Sequence, residues 1–234
     1  MQQTSAIIYL NEQRGLIESS DSKMLCTFNY KEYFNRDKQA FGSIFLFNEL
    51  VLDSCAINTN VIEENCLFII IPVTGTLNYQ IGKNSRQELE VGETLVNPCQ
   101  KGITFNIYNP YPKDQIHLIQ IGIKSDLKIR QQEKYPLDLA SNPNELSEVF
   151  SIESKIKLSA GRFMGRKEQI YPLKRDSCHF LYTLSGAFEI SGRLVHPGDS
   201  LVLWNTQKTE IEALSNEAVL ISIETETPKI RGEN

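Results

Sequence analysis

The feature that most constrains this chain is a β unit that occurs twice. In the first copy an apolar run, Leu67–Val73, leads into a turn at Gly75, and a second turn glycine, Gly92, opens a further strand. The same order returns near the C-terminus, where Gly186 and Gly198 are the turn glycines. In both copies an acidic residue follows the second glycine and precedes a strand. Such an internal repeat predicts two similar all-β domains in tandem.

Short strand candidates run through the rest of the chain, separated by Gly, Asn and Pro. Phe41–Phe47 and Gln115–Ile123 are the clearest examples, and the second alternates between apolar and polar residues. A single short helix is predicted over Pro143–Phe150, with Asn142 as its N-cap. This pattern favours β-sandwiches or barrels over βαβ units, and we expect two jelly-roll barrels.

The predicted domain boundary lies in a polar segment between the two copies. Residues 125–143 are rich in Lys, Gln and Glu and contain Pro136 and Pro143, a composition typical of a linker. We therefore expect an N-terminal domain over residues 1–130 and a C-terminal domain over residues 131–234.

Composition and charge exclude several classes of function. The formal net charge is −5 and no basic patch dominates, so the phosphate attraction that drives nucleic-acid binding has no obvious source. The longest apolar run, Leu67–Val73, is too short to cross a bilayer. The N-terminus has no signal-peptide pattern and the five cysteines form no CxxC pair. We expect a cytoplasmic protein with reduced thiols that binds neither nucleic acid nor membranes.

An ordered set of short motifs resembles the pirin family, whose members contain two cupin domains in one chain. The motifs are Glu12-Gln13-Arg14-Gly15, Thr27-Phe28-Asn29-Tyr30, Phe41-Gly42-Ser43, Asn48-Glu49, Gly75 and Tyr108-Asn109-Pro110. The second half of the chain resembles the C-terminal cupin of bacterial pirin-like proteins. The resemblance implies two tandem cupin jelly rolls, with one metal ion, usually iron, inside the N-terminal barrel. It also implies similarity to cupin dioxygenases, because some members are assigned quercetin 2,3-dioxygenase activity.

The chain departs from the family pattern where the metal ligands are expected. In pirins the ligands are an HxH pair before the turn glycine and a His-x-Glu pair on the strand before Tyr-Asn-Pro. Counting without gaps places Val61 and Glu63 at the first pair and Phe105 and Ile107 at the second. Three of these side chains have no donor atom, and a lone carboxylate cannot hold Fe²⁺, which needs several N or O donors. We expect these four positions to line a ligand pocket that holds no metal cofactor.

The histidines of the chain do not restore the expected ligand set. His117, His179 and His196 are widely separated, and no histidine precedes His117. A metal site needs convergent donors, so we interpret these residues as structural or exposed. The alternative is a displaced site in which residues such as His117 and Glu63 hold a metal.

Two further groups of side chains have simple packing interpretations. Cys66 and Cys99 have no evident basic neighbour that would lower the thiol pKa, so we expect them to be buried and inert. An aromatic cluster is expected to pack in the core and to cover one end of the first barrel. Its members are Phe28, Tyr30, Tyr33, Phe34, Phe41 and Phe45.

The sequence therefore predicts a pirin-like bicupin that lacks the usual metal centre. Such a protein would bind a small apolar or aromatic ligand, or act as a regulatory protein with a protein partner, and exposed sheet edges are compatible with a homodimer. One alternative is a metal-dependent cupin dioxygenase of the quercetin 2,3-dioxygenase type with non-standard ligands. Another is a purely structural protein whose first barrel is filled by side chains. The interior of the first barrel distinguishes these hypotheses.

Overall fold

The computed structural model describes residues 4–125, 131–153 and 155–227. Within these ranges the chain consists of antiparallel β-sheets and one short 3-10 helix, Asn11–Gln13. The expected all-β class is confirmed. No helix of the described residues is long and apolar enough to cross a membrane. The strands are β1 (Ser5–Tyr9), β2 (Gly15–Glu18), β3 (Ser22–Cys26), β4 (Ile44–Leu52), β5 (Ile57–Val61), β6 (Cys66–Thr74), β7 (Leu77–Ile81), β8 (Gln87–Leu89), β9 (Glu93–Cys99), β10 (Thr104–Tyr108), β11 (Ile116–Lys124), β12 (Glu133–Pro136), β13 (Ser147–Ile152), β14 (Ile156–Phe163), β15 (Glu168–Pro172), β16 (Ser177–Ser185), β17 (Phe188–Ile190), β18 (Arg193–Val195), β19 (Ser200–Trp204), β20 (Lys208–Ala213) and β21 (Ala218–Glu226).

The chain forms two compact units whose limits differ from the expected domains 1–130 and 131–234. The first unit is Arg14–Pro136, and the second joins the N-terminal segment up to Gln13 to the part that begins at Leu137. The difference has two causes, both of them long-range strand pairings. β1 pairs along its whole length with β19, which lies in the second half of the chain. β12 pairs with β9, so the residues just beyond the expected boundary stay in the first unit.

The first unit contains two sheets that share one apolar core. One sheet has seven strands in the order β12-β9-β6-β11-β4-β3-β2, and the other has four in the order β5-β10-β7-β8. Alternate residues of both sheets meet in the core, as expected for a jelly roll with inward and outward faces. Phe68 of the larger sheet and Phe105 of the smaller one have ring centroids 5.0 Å apart.

The second unit repeats this plan with a six-stranded and a four-stranded sheet. Their strand orders are β1-β19-β16-β21-β14-β13 and β15-β20-β17-β18. Phe163 and Phe188 of its core contact edge to face, with ring centroids 5.6 Å apart, a favourable geometry for aromatic rings.

The turn glycines of the repeat adopt matching backbone conformations. Gly75 and Gly186 have φ of 76° and 71°, and Gly92 and Gly198 have φ of 91° and 86°. All four lie in the left-handed region that glycine enters without steric cost. The repeat seen in the sequence therefore corresponds to the same turns between the two sheets in both units.

The predicted short helix at Pro143–Phe150 is wrong. Residues 147–152 instead form β13, which pairs with β14, and Asn144 has a positive φ of 68°. The Asn144 side chain accepts a hydrogen bond from the backbone N–H of Met164 at 2.8 Å. Pairing with a neighbouring strand thus overrides the local capping signal.

Candidate functional site

The candidate site lies inside the first unit, where β5 pairs with β10. Phe105 is directly opposite Asn60, and Ile107 is directly opposite Asn58. Directly opposite residues point to the same face of a sheet, and both Phe105 and Ile107 are completely buried in the core. The side chains of β5 that face the barrel interior beside them are therefore Asn58 and Asn60.

Val61 and Glu63 do not lie beside Phe105 and Ile107. Both line the cavity that opens next to Asn60, whereas Phe105 and Ile107 are not among its lining residues. Val61 ends β5 and its residue is 58% exposed, whereas the preceding Asn60 is only 2% exposed. Glu63 is exposed and lies in the connection between β5 and β6. The residues of β5 opposite Ile107 and Phe105 are 58 and 60, three positions earlier in the chain than 61 and 63, the pair obtained by counting without gaps. Asn58-x-Asn60 has the same i, i+2 spacing as an HxH pair.

The two asparagines belong to a chain of hydrogen bonds across the barrel. The Tyr30 hydroxyl donates to Asn60 Oδ1 at 2.7 Å, and Asn60 Nδ2 donates to Asn58 Oδ1 at 2.8 Å. Gln120 Nε2, from β11, donates to the same Asn58 oxygen at 3.4 Å. Burial raises the pKa of Tyr30 well above its usual range, so its hydroxyl stays protonated and able to donate. The chain of hydrogen bonds uses both polar atoms of the Asn60 amide, whereas the buried Oε1 of Gln120 has no hydrogen-bond partner among the described residues.

A cavity of about 250 Å³ opens beside this chain of hydrogen bonds. Its wall is mainly aromatic and aliphatic, Tyr30 and Asn60 supply hydrogen-bonding groups, and Lys31 and Glu63 supply charges of opposite sign. Four members of the predicted aromatic cluster line it, and three of these, Tyr30, Tyr33 and Phe45, also pack against the core. Phe28 and Phe41 are buried away from the cavity, and Phe34 is exposed at its edge. The lining residues are Asn29, Tyr30, Lys31, Tyr33, Phe34, Phe45, Leu46, Asn60, Val61, Ile62, Glu63 and Phe68.

A tight hairpin holds the two tyrosines of the cavity wall. Tyr30 and Tyr33 exchange backbone hydrogen bonds of 3.1 and 2.9 Å, and Lys31 between them has a φ of 48°. The Tyr33 ring lies directly on Gly15, where an added Cβ would come within 2.2 Å of ring atoms. Gly15 therefore has no side chain because the ring occupies that space, which gives a physical reason for the glycine in the first family-like motif.

The residues at these positions do not fit an iron centre. Iron sites of this kind use imidazole and carboxylate donors that leave an open coordination position. The inward positions here carry two amides, already hydrogen-bonded to their neighbours, and two hydrocarbon side chains. Among the described residues, no three His, Cys, Asp or Glu side chains are grouped so that they could hold a metal ion.

His117 and Glu63, the residues of the alternative displaced metal site, have different neighbours. His117 Nε2 lies 3.0 Å from Glu49 Oε1, and the same carboxylate is bound by Arg14. His117 thus contacts Glu49, whereas Glu63 is one of the residues that line the cavity. His196 is exposed near the second turn glycine of the repeat.

His179 is completely buried in the second unit. Its Nδ1 lies 2.8 Å from Thr209 Oγ1 and its Nε2 is hydrogen-bonded to Ser222 Oγ. The imidazole stacks on the Tyr171 ring, with centroids 4.8 Å apart. Burial, aided by the positive charge of Lys157, lowers the pKa of His179 to about 3. The side chain is therefore a neutral, hydrogen-bonded part of the core.

Two jelly-roll units in one chain define a bicupin. Residues 139–223 match the family model described as "Quercetinase C-terminal cupin domain". A curated relative, quercetin 2,3-dioxygenase of Escherichia coli K12, is 18% identical over 203 residues, which cover 83% of this chain and 88% of that protein.

Solved structures show the same fold. The crystal structure of YhhW from Escherichia coli matches with a TM-score of 0.84 at 16% identity, over 95% of this chain and 98% of that one. The bacterial pirin YhhW in complex with nickel(II) matches with a TM-score of 0.83 at 15% identity, over 95% and 100%. A quercetin 2,3-dioxygenase from Acinetobacter baumannii matches with a TM-score of 0.73 at 12% identity, over 97% and 80%. The comparisons bear out the resemblance to pirins: the chain has the two-cupin fold of a bacterial pirin, and its residues 139–223 are similar to the C-terminal cupin domain of quercetinases.

Proposed function

We propose that this bicupin has lost the metal centre of the first barrel and binds a small apolar or aromatic molecule there without catalysing its oxidation. The observation that carries the proposal is the hydrogen-bonded pair Asn58 and Asn60 facing Phe105 and Ile107. Phe105 and Ile107 are at positions that the family resemblance assigns to metal ligands, and Asn58 and Asn60 lie directly opposite them on β5. Two amides that are already hydrogen-bonded to their neighbours, opposite two hydrocarbon groups, offer little to a divalent ion.

The cavity supports a binding function over a purely structural one. A first barrel filled by side chains would have no such space, yet about 250 Å³ is open beside Asn60. This volume lies near the lower limit of ligand pockets, roughly 300 Å³, which favours a molecule of one or two rings. The aromatic wall supplies apolar contact, and Tyr30 and Asn60 supply the few polar groups that fix an orientation.

The proposal also covers partners, cofactors and location. No metal cofactor is required, and direct binding of nucleic acid or membranes is not part of the function. A protein partner or a second copy would have access to β5, the terminal strand of its sheet. The thiols of Cys26, Cys66, Cys99 and Cys178 are free and buried, as expected for a protein of the reducing cytoplasm.

Binding of a fluorescent aromatic probe tests the proposal. We expect 2-naphthol, a fluorescent two-ring molecule with one hydroxyl group, to bind in the cavity, and Tyr30→Phe to weaken binding about fivefold through loss of one hydrogen bond. Tyr108→Phe is the matched control, because the Tyr108 hydroxyl also donates to an amide, Gln80 Oε1 at 2.8 Å, but lies outside the cavity. Equal effects of the two substitutions would contradict the proposal.

A second measurement separates binding from catalysis. Oxygen consumption is followed with a flavonol, with and without a chelator. The proposal expects no consumption above the rate without protein. Consumption that the chelator abolishes would instead establish a metal-dependent dioxygenase and overturn the non-catalytic function.

A further inference from the structure

Two cysteines face each other across neighbouring strands of the first unit. β6 and β9 are antiparallel, and Cys66, the first residue of β6, is directly opposite Cys99, the last residue of β9. Each is only 4% exposed, and both belong to the apolar core of the barrel. Directly opposite side chains on the same face are neighbours in space, so the two thiols form a buried pair.

The pairing geometry is compatible with a covalent bond. Directly opposite residues of antiparallel strands have Cα atoms about 4.5 or 5.5 Å apart, depending on the hydrogen-bonding pattern. Both separations lie within the range of roughly 4.4 to 6.8 Å that disulfides span. The other buried cysteines have different neighbours, because Cys26 is opposite Asn48 and Cys178 is opposite Thr225.

We propose that Cys66 and Cys99 are a redox-sensitive pair that an oxidant of the peroxide class converts into a cross-strand disulfide. The Cys99 sulfur, which accepts a hydrogen bond from Asn97 Nδ2 at 2.9 Å, attacks one peroxide oxygen and releases water, giving a sulfenic acid. The Cys66 sulfur then attacks the sulfenic sulfur of Cys99, which forms the S–S bond and releases the sulfenic oxygen as water. Two thiols lose two hydrogens and two electrons, and one hydrogen peroxide becomes two water molecules.

The new bond would fix the rim of the cavity. Ile62 and Glu63, just before Cys66, line the cavity. Their segment is already tied to the residues after Cys99, since the N–H of Gly102 donates to Ile62 O at 2.7 Å and the N–H of Ile62 donates to Ile103 O at 2.9 Å. A disulfide between Cys66 and Cys99 would join these two segments covalently and oppose their separation.

Burial also sets the rate at which the pair reacts. It raises the pKa of Cys66 to about 12 and that of Cys99 to about 11. The thiolate is the reactive form, so oxidation is slow near neutral pH. Below these pKa values the thiolate fraction grows about tenfold for each pH unit, and the oxidation rate should grow with it.

Mass spectrometry of peroxide-treated protein tests the proposal. The expected product has lost two hydrogens, contains a peptide linking Cys66 to Cys99, and forms faster at pH 9 than at pH 7. Cys99→Ala and Cys66→Ala should each prevent the linkage, whereas Cys178→Ala should leave it unchanged. If one of these two single variants folds poorly, the other still shows whether the linkage needs both thiols.

Hydrogen exchange provides the second readout. In the oxidised protein, amides of residues 62–66 and 99–103 should exchange more slowly than in the reduced protein, and Cys99→Ala should show no such change after the same treatment. The proposal is overturned if folded protein oxidised at pH 9 keeps both thiols, or if the only linked product joins exposed Cys55 residues of two molecules. Neither outcome bears on probe binding in the cavity, so the two proposals fail separately.

Discussion

Acidification should destabilise the second unit through His179. The imidazole is completely buried, and its folded pKa is about 3 because burial disfavours the charged ring. In the unfolded chain a histidine has a pKa of about 6.5. Between these values the unfolded state binds more protons than the folded state, so stability falls as the pH falls. The contribution is fully present above about pH 6.5 and is lost progressively toward pH 3.

The size of the effect follows from the two pKa values. At about pH 5 the unfolded histidine is mostly protonated and the folded one is still neutral. This pH lies roughly 1.5 units below the unfolded pKa of about 6.5, and that interval sets the size of the stability loss. At about 1.4 kcal/mol per pH unit, the second structural unit of the chain should lose about 2 kcal/mol of unfolding free energy between about pH 7.5 and about pH 5.

Urea denaturation at a series of pH values measures this loss. The only tryptophan of the chain, Trp204, lies on β19 of the second unit, so its fluorescence reports the unfolding of that unit. His179→Gln removes the titrating group, and the difference between wild type and variant should shrink by about 2 kcal/mol as the pH falls. His196→Gln, at an exposed histidine, is the control and should leave the pH dependence unchanged. Parallel pH profiles for wild type and His179→Gln would refute the reasoning.

Three further predictions concern the first barrel and the N-terminal strand. Gly15→Ala should displace the Tyr33 ring, cost about 1–3 kcal/mol of stability and weaken probe binding in the cavity. Unchanged urea denaturation and probe titration would contradict this. Replacing Asn58 and Asn60 by His, Phe105 by His and Ile107 by Glu should create a site that binds about one equivalent of nickel by metal analysis; the absence of binding in a folded variant would contradict the assigned register. Deleting residues up to Tyr9 removes β1 from β19 and should lower the urea midpoint of Trp204 fluorescence, and an unchanged midpoint would show that β1 does not stabilise the second unit.

Local sequence patterns predict much of this fold, because they arise from steric and solvation effects within a few residues. The alternation in Gln115–Ile123 agrees with β11, and the repeat glycines take the positive φ that turns require. The same patterns do not specify which distant strand an element pairs with. The partners of β1 and β12, and the strand at residues 147–152, depend on such pairings.

The candidate site was predicted only in part for the same reason. Counting from Gly92 selects Phe105 and Ile107, and both side chains are buried in the core of the first unit. Counting without gaps between Asn48-Glu49 and Gly75 selects Val61 and Glu63. The pairing of β5 with β10, which no local pattern specifies, instead places residues 58 and 60 opposite Ile107 and Phe105. Tyr30 was assigned to packing because its hydrogen bond to Asn60 joins residues 30 positions apart in the chain.

The metal content of the purified chain tests the central claim most directly. The protein is equilibrated under anaerobic conditions with Fe²⁺, Ni²⁺ or Zn²⁺, separated from free metal, and measured by inductively coupled plasma mass spectrometry. If the first barrel has lost its metal centre, bound metal should be far below one equivalent per chain and should not change when Asn58 and Asn60 are replaced by leucine. One equivalent of metal in the wild type that this double variant loses would contradict the account.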